Sequence, residues 1–281
     1  MAGGAVTRFA PSPTGLLHLG HAYAALVAHR EAAPGRFLLR IEDIDRDRCK
    51  PAFDAAIFED LHWLGLDWPL PVMRQSDRLP AYRAALEKLA PLTYPCRCRR
   101  GDIRAALSAP QEGALPAGPD GLIYPGTCRH RPLSEAAPDD VIRLDAARAF
   151  DTLGIDRLAF RDREILPGED HILTRDQFQT GIGDVILSRR GMGTSYHLAV
   201  VVDDAAQGIT LVTRGKDLFD STWIHVLLQK LLKFRTPLYH HHQLIRDDAG
   251  KRLAKRDDAR ALRSFREDGA TPQDIRRILG L

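Results

Sequence analysis

The sequence predicts an α/β fold in which a doubly wound parallel sheet is interrupted by an inserted α+β subdomain. A short apolar strand, Val6 to Phe9, runs through a Pro/Gly turn into the start of a helix. Patterns typical of strands and helices alternate up to about residue 90 and resume near Ser195. Between Pro91 and about Arg190 the apolar runs are shorter, which indicates an insertion that splits one parallel sheet.

The elements of the first half follow from the spacing of apolar residues. After the first helix, Gly35 to Ile41 predicts a buried strand. Pro51 to Leu64 predicts an amphipathic helix, and Leu79 to Leu89 predicts another. One face of the longer helix carries the side chains of Phe53, Ile57, Leu61 and Leu64.

The insertion and the second half contain shorter elements. In the insertion we expect a Pro/Gly-rich loop over Pro110 to Gly126 and strands at Val141 to Leu144, Leu158 to Phe160 and Asp184 to Leu187. The buried pattern resumes over Ser195 to Val202 and leads to a helix over Ser221 to Phe234, with Ser221 as its N-cap. Thr271 and Pro272 open a short terminal helix.

These elements divide the chain into four segments. Residues 1–90 and 191–245 form the two halves of the parallel-sheet domain, and residues 91–190 form the insertion. Residues 246–281 hold a loop that contains lysines, followed by short C-terminal helices.

The composition is typical of a soluble globular protein. The chain is 44% hydrophobic and 27% charged, and its net charge of +3 provides no global field for a nucleic-acid partner. Local arginine clusters would have to serve such a partner. No apolar run approaches the ~20 residues of a membrane helix, and the first residues lack the apolar core of a secretory signal. Four cysteines without a disulfide-like pattern predict a cytoplasmic protein, and we expect a monomer.

The segment from Arg8 to His21 carries the strongest functional signal. This segment predicts a strand, then a tight turn, then the start of a helix. Backbone N–H groups and the positive end of the helix would then point toward the same position. His18 and His21 stand at that spot with Gly20 between them, and a glycine lets a flat group approach the backbone. The arrangement suits a nucleotide whose phosphates must be held while charge develops, although a single histidine at a helix start is more often a surface residue.

The insertion contains a second group of chemically active residues. Cys96 and Cys98 are followed by Tyr124 and Cys128. Three thiolates can bind zinc, with either the Tyr124 phenolate or the more ordinary imidazole of His130 as the fourth ligand. Such a site would be structural, because nothing in the pattern indicates an open coordination position. The alternative is a set of three reduced cysteines without a metal.

Five segments together resemble the glutamyl/glutaminyl branch of the class I aminoacyl-tRNA synthetases. They are Arg8 to His21, Arg40 to Asp45, Val201 to Asp204, Val212 to Leu218 and Gly250 to Arg256. The resemblance extends from residue 6 to about residue 260, which is nearly the whole chain. It implies a Rossmann-like catalytic domain, a structural zinc ion on Cys96, Cys98, Tyr124 and Cys128, and Mg²⁺ bound with ATP.

The resemblance implies that ATP is bound at both ends of the chain. His18, Gly20 and His21 would contact the nucleotide, with the two imidazoles on phosphate oxygens as charge builds. Lys255 would close over those phosphates from its loop. This loop departs from the family pattern, because Ala254 replaces the usual serine and Arg252 stands where lysine is common. The departure removes one hydrogen bond, on the order of 1 kcal/mol, and leaves Lys255 in place.

The resemblance also implies a glutamate-binding set that consists of Arg8, Ala10, Ser12, Glu42, Tyr196 and Arg214. Arg8 and Arg214 would hold the side-chain carboxylate, since arginine offers paired donors to a planar anion. Glu42 would bind the α-ammonium group, and Tyr196 would close the pocket. On composition alone, Glu42 can instead be a strand-end carboxylate paired with Arg40 or Arg46.

Only about 25 residues follow Lys255, far fewer than the large anticodon-binding region of a complete glutamyl-tRNA synthetase. Members without this region activate L-glutamate with ATP, independently of tRNA, and transfer it to the queuosine base in the anticodon of tRNA(Asp). The resemblance therefore implies these substrates. Two alternatives stay open: a truncated enzyme that esterifies the acceptor end of tRNA(Glu), and a non-catalytic paralogue that binds glutamate or ATP.

Overall fold

In a computed structural model, residues 4–107, 115–245 and 260–281 are described. The strands are β1 (Val6–Phe9), β2 (Arg36–Ile41), β3 (Met73–Arg74), β4 (Thr93–Cys96), β5 (Ala117–Gly118), β6 (Gly121–Leu122), β7 (Val141–Leu144), β8 (Arg157–Arg161), β9 (Asp170–Thr174), β10 (Ile186–Ser188), β11 (Leu211–Gly215) and β12 (Leu238–His242). The helices are α1 (Leu19–Ala32), α2 (Pro51–Trp63), α3 (Leu79–Leu89), α4 (Arg100–Leu107), α5 (Ala146–Leu153), α6 (Arg175–Gly181), α7 (Tyr196–Ala206), α8 (Ser221–Leu231), α9 (Leu262–Glu267) and α10 (Pro272–Leu279).

The parallel strands meet at β1. β1 pairs with β2 and β2 with β3, whereas β11 pairs with β12, and all of these ladders are parallel. The Val6 carbonyl accepts a hydrogen bond from the Thr210 N–H at 3.0 Å, which puts β11 beside β1 on the edge away from β2. Parallel strands therefore lie on both sides of β1, with β2 and β3 on one side and β11 and β12 on the other. This arrangement confirms the predicted parallel α/β sheet.

The insertion contributes antiparallel structure. β7 lies between β4 and β10 in a three-stranded antiparallel sheet, and β8 pairs with β9 in a hairpin. One apolar cluster joins α3, α5 and β8 to α7 and α8, so the second half of the parallel sheet shares its core with this region. A second cluster packs α1 and α2 on β1 and β2. Among the described residues, no helix combines the length and apolar character that crossing a bilayer requires.

Several predicted boundaries need correction. Helix α8 ends at Leu231 rather than Phe234, since Lys233 has a left-handed backbone with φ 58°. The N-cap position of α8 is Asp220, and Ser221 is already helical. The strand expected at residues 184–187 lies at Ile186–Ser188. The loop expected over residues 110–126 contains the short β5–β6 hairpin, while residues 108–114 lie outside the described part.

Candidate functional site

A cavity of about 340 Å³ opens where β1, β2, β11 and β12 end. The strand connections diverge at β1, so this edge is the topological switch point at which open α/β sheets bind ligands. The cavity lining includes eight residues that the sequence predicted, namely Arg8, Ala10, His18, Gly20, His21, Glu42, Tyr196 and Arg214. The fold thus brings residues from distant parts of the chain around one space.

Two predicted residues are not in this lining. Ser12 lines an adjoining cavity of about 390 Å³, which shares Glu42 and Tyr196 with the first. Lys255 lies outside the described residues, as do Arg252 and Ala254. The residues on either side of that gap reach the site, because Ile245 lines the cavity and Ala261 forms a β-bridge with His18.

His18 and His21 cap the start of α1. The His18 Nδ1 atom accepts the Gly20 N–H at 3.1 Å, and the His21 Nδ1 atom accepts the His18 N–H at 3.2 Å. Because both Nδ1 atoms are acceptors, the proton of each neutral ring lies on Nε2, from which it can be donated to an anion. The ring centroids are 3.8 Å apart at the positive end of the helix. The pair is therefore arranged to bind one negatively charged group.

Arg8 is fixed at the end of β1 by a carboxylate. Its Nε and Nη2 atoms donate to Asp204 at 2.9 and 3.2 Å, and Nη1 donates to the Thr213 carbonyl at 3.2 Å. Asp204 also accepts a 2.6 Å hydrogen bond from Arg40. Burial opposes ionisation of Asp204, but the two guanidinium groups outweigh it and lower its pKa. The carboxylate offsets part of the positive charge of both arginines.

Glu42 follows β2 and meets the cavity beside a buried arginine. Arg40, which is 0% exposed, donates to Glu42 Oε1 at 3.2 Å. Burial raises the pKa of Glu42, while the charge of Arg40 opposes that rise. The alternative pairing of Glu42 with Arg40 is therefore observed, and Glu42 lines the cavity as well.

Arg214 is held by neutral groups. Its Nε atom donates to His241 Nε2 at 3.1 Å, Nη1 contacts His225 Nδ1 at 2.9 Å, and Nη2 donates to the Thr222 hydroxyl. Sequence reasoning missed these three partners. The strand register contains a signal for one of them, because β11 and β12 pair with Arg214 directly opposite His241.

The lining offers complementary charges to a zwitterion. Arg8 and Arg214 are 5% and 6% exposed and present cationic groups, whereas Glu42 presents a carboxylate. Tyr196, the first residue of α7, lies against the same cavity, and burial raises the pKa of its phenol. The arrangement can bind an acidic amino acid next to a phosphate held at the start of α1.

The four proposed zinc ligands also lie together, on the inserted subdomain. The Sγ atoms of Cys96, Cys98 and Cys128 all fall within 4.8 Å of one another. Cys98 Sγ is 3.6 Å from Cys128 Sγ and 3.5 Å from the Tyr124 hydroxyl. Tetrahedral zinc with ~2.3 Å bonds to sulfur separates its thiolates by about 3.8 Å, so the spacing fits this ion.

The local hydrogen bonds favour an ionised thiol in this group. Burial opposes ionisation of Cys128, but hydrogen bonds from Tyr124 and from the Arg97 backbone lower its pKa to about 7. The Tyr124 oxygen in turn accepts the Cys128 N–H at 2.8 Å. His130 does not belong to this group of close metal-binding side chains, whereas the Tyr124 hydroxyl contacts Cys98 of the group.

Comparison with protein families matches most of the chain. Residues 5–120 and 156–281 match the model described as tRNA synthetases class I (E and Q), catalytic domain. The unmatched stretch contains Tyr124 and Cys128, so the match covers only the first part of the cysteine cluster.

Curated relatives match over nearly the whole length. A glutamyl-Q tRNA(Asp) synthetase of Rhodobacter capsulatus is 57% identical and covers 98% of this chain and 100% of its own. A protein of the same name from Symbiobacterium thermophilum is 41% identical, with 95% of this chain and 83% of its own covered.

A solved structure shares the fold. The crystal structure of a glutamate tRNA ligase from Elizabethkingia meningosepticum, in complex with its amino acid, superposes with a TM-score of 0.67 at 26% identity. The match covers 95% of this chain and 53% of the ligase, so the chain spans about half of that protein.

Proposed function

Because the chain belongs to the catalytic-domain family of class I tRNA synthetases for glutamate and glutamine, we propose that it activates L-glutamate with ATP. The glutamyl group is then transferred to the queuosine base at the wobble position of tRNA(Asp). The proposed acceptor follows the names of the curated relatives. The observation that carries the amino-acid assignment is the single cavity in which Arg8, Arg214 and Glu42 meet the histidines of α1.

Adenylation joins two anions, which defines what the residues must do. The α-carboxylate of glutamate attacks the α-phosphate of ATP, and pyrophosphate leaves. Glu42 binds the α-ammonium group, and Arg214 with Arg8 binds the side-chain carboxylate, so the α-carboxylate is left to react. His18 and His21 donate to phosphate oxygens, and a Mg²⁺ ion bound with ATP would supply further positive charge.

Four further residues complete the proposed ATP and glutamate sites. Lys255 belongs to the segment between Ile245, which lines the cavity, and Ala261, which forms a β-bridge with His18. We propose that Lys255 binds the phosphates from this segment. Tyr196 covers the glutamate pocket. Ala10 lines the glutamate pocket, and Ser12 lines the adjoining cavity.

We propose that the cysteine cluster binds one structural zinc ion. Cys96, Cys98 and Cys128 supply thiolates, and the contact of Tyr124 with Cys98 supports the phenolate as fourth ligand over His130. Zinc would join β4 to the turn before β7, a region with only a small apolar cluster of its own. The ion therefore stabilises the subdomain and takes no part in the reaction.

We place the RNA along a line of adjoining cavities. The Ser12 cavity shares Glu42 and Tyr196 with the glutamate site, and it shares Arg189 and Met192 with a third cavity of about 500 Å³. The third cavity is lined by arginines, namely Arg99, Arg100, Arg104, Arg143, Arg189 and Arg190. Such a surface suits phosphates next to the nucleotide that enters the Ser12 cavity.

The test separates activation from transfer. Purified protein should catalyse glutamate-dependent ATP–pyrophosphate exchange without RNA. It should then transfer labelled glutamate to tRNA(Asp) that carries queuosine, and tRNA(Asp) without queuosine serves as the matched control. Exchange without RNA supports the activation step, and labelling that depends on queuosine supports the acceptor.

Each alternative gives a different result. Alkali-labile glutamate on the terminal adenosine of tRNA(Glu) would identify a tRNA-charging enzyme. Absence of exchange, together with measurable glutamate or ATP binding, would identify a non-catalytic paralogue. Equal labelling of tRNA(Asp) with and without queuosine would refute the proposed acceptor.

A further inference from the structure

A chain of buried hydrogen bonds leads from Arg214 to the surface of the insertion. His225 Nδ1 lies 2.9 Å from Arg214 Nη1, and His225 Nε2 lies 3.0 Å from His197 Nδ1. His197 Nε2 is in turn 3.0 Å from Asp120 Oδ1. His197 and His225 are 3% and 2% exposed, and neither lines the glutamate cavity.

The arginine fixes the direction of every bond in this chain. A guanidinium only donates, so His225 Nδ1 must accept and its proton lies on Nε2. That N–H is donated to His197 Nδ1, which leaves the His197 proton on Nε2, where Asp120 accepts it. Both rings are neutral in this arrangement, and each polar atom in the series has a partner of the correct kind.

The two ends of this series of hydrogen bonds, Asp120 and Arg214, belong to different elements. Asp120 lies in the turn between β5 and β6, and it lines the arginine-lined cavity. His197 belongs to α7, His225 to α8 and Arg214 to β11. The hydrogen bonds therefore tie a hairpin of the insertion to an arginine that faces the glutamate cavity.

We propose that Asp120, His197 and His225 form a positioning relay that holds the Arg214 guanidinium in the orientation that binds glutamate. The proposal rests on the proposed function, since that assigns glutamate to Arg214. The relay residues touch no substrate, and they act by satisfying one edge of the guanidinium. His241 accepts from the Nε atom and Thr222 from the Nη2 atom, so three of the five N–H groups are held by the protein.

The relay requires neutral imidazoles, because an added proton on His225 Nδ1 would face the Arg214 N–H. Burial and then the charge of Arg214 lower the pKa of His225 well below the usual value. The charges of Arg214, Arg8 and His241 also disfavour a proton on His225. Tyr196 packs against both rings. Asp120 accepts from His197 and is itself near the positive charges of Arg189 and Arg143. Glutamate affinity should therefore stay constant through the ordinary range of histidine titration and weaken only at lower pH, where His225 becomes protonated.

The test compares two substitutions of His197. Glutamine offers an oxygen to accept from His225 and an amide to donate to Asp120, whereas leucine offers neither. We expect H197L to raise the dissociation constant for glutamate about tenfold, because leucine can form neither the hydrogen bond to His225 nor the one to Asp120. H197Q should stay within about threefold of the wild type. The KM for ATP should be unchanged in both, and thermal melting checks that each variant is folded.

A surface substitution provides an independent test outside the core. Asp120→Ala removes the outer acceptor and should raise the dissociation constant for glutamate about threefold, whereas Asp139→Ala, an exposed residue of the same insertion, should have no effect. Wild-type glutamate affinity in H197L and D120A would overturn the relay, even if their melting temperatures change. A wild-type protein that binds no glutamate would refute the proposed function as well, so the two failures are distinguishable.

Discussion

The two arginines of the cavity are anchored by opposite chemistry. Arg8 is paired with the Asp204 carboxylate, which offsets part of its charge. Arg214 contacts the neutral rings of His225 and His241 instead, and among the described residues no carboxylate forms an ion pair with it. A ligand carboxylate should therefore be bound mainly by Arg214, with Arg8 and the Asp204 pair setting the shape of the pocket.

Asp162 allows a test of charge at the residue scale. It is 1% exposed and accepts hydrogen bonds from His241 Nδ1 at 2.6 Å and from the Glu164 and Ile165 N–H groups at 2.8 Å. Burial opposes ionisation of Asp162, yet these bonds lower its pKa to about 2. A depressed pKa stabilises the fold above the unfolded value of about 3.9, and the contribution is lost as pH falls through the folded value.

Asp162→Asn should lower the free energy of unfolding by about 2–3 kcal/mol at pH 7. The difference from the wild type should shrink between about pH 4 and pH 2, where the native carboxylate is protonated. Urea unfolding at a series of pH values measures both effects. Asp170→Asn is the matched control, because Asp170 forms only an exposed ion pair with Arg161. A difference that is constant with pH would show that the charge of Asp162 is not responsible.

At the scale of elements, local signals predicted structure well. The strand–turn–helix order at the N-terminus gave β1 and α1, and the histidines that were singled out do cap the helix. The terminal helix begins with Thr271 as cap, as its sequence indicates. Ser221 failed as an N-cap because a short 3₁₀ segment, Lys216–Leu218, precedes α8 and Asp220 already has helical backbone angles.

Partners from distant elements could not be read from the sequence. Asp204 meets Arg8 across 196 positions, and Arg214 of β11 meets His225 of α8. Such contacts depend on how strands and helices pack, which periodicity does not specify. The residues that line the cavity were predictable as a set through their motifs, whereas the hydrogen bonds that orient those residues were not.

The cysteine element provides the next prediction. Cys98→Ser should abolish zinc binding and lower the free energy of unfolding by about 4 kcal/mol when free zinc is ~1,000-fold above its dissociation constant. Elemental analysis and melting with and without a chelator measure the two effects. Cys49→Ser is the matched control, because Cys49 lies outside the cluster. Equal metal content in both variants would contradict the site.

The fourth ligand is resolved by a second pair of variants. Tyr124→Phe should weaken zinc binding, since the Tyr124 hydroxyl contacts Cys98 Sγ at 3.5 Å. His130→Ala should bind zinc like the wild type, because His130 is not part of the close group. The reverse result would assign the fourth position to His130 and leave the three thiolates unchanged.

At the scale of the whole molecule, three adjoining cavities join two kinds of surface. On one side, the parallel sheet presents the cavity proposed to bind glutamate at its switch point. On the other side, the insertion presents the arginine-lined cavity beside the cysteine cluster. The Ser12 cavity connects them and shares two residues with each, Glu42 and Tyr196 with the first and Arg189 and Met192 with the second. Because the net charge is only +3, we expect recognition of the proposed RNA acceptor to depend on this local concentration of arginines.

The double substitution R99A/R100A tests this arrangement. It should lower the kcat/KM of transfer to tRNA(Asp) about tenfold to a hundredfold, and leave glutamate-dependent ATP–pyrophosphate exchange unchanged. Two lost phosphate contacts to a single strand should also reduce the salt dependence of log KM by a slope of about 1.4. Removal of two exposed arginines from the β8 strand, in R157A/R161A, is the matched control. Transfer with the wild-type rate and salt dependence would place the RNA on another face, because a surface that contacts phosphates cannot lose two cations without a change in that slope.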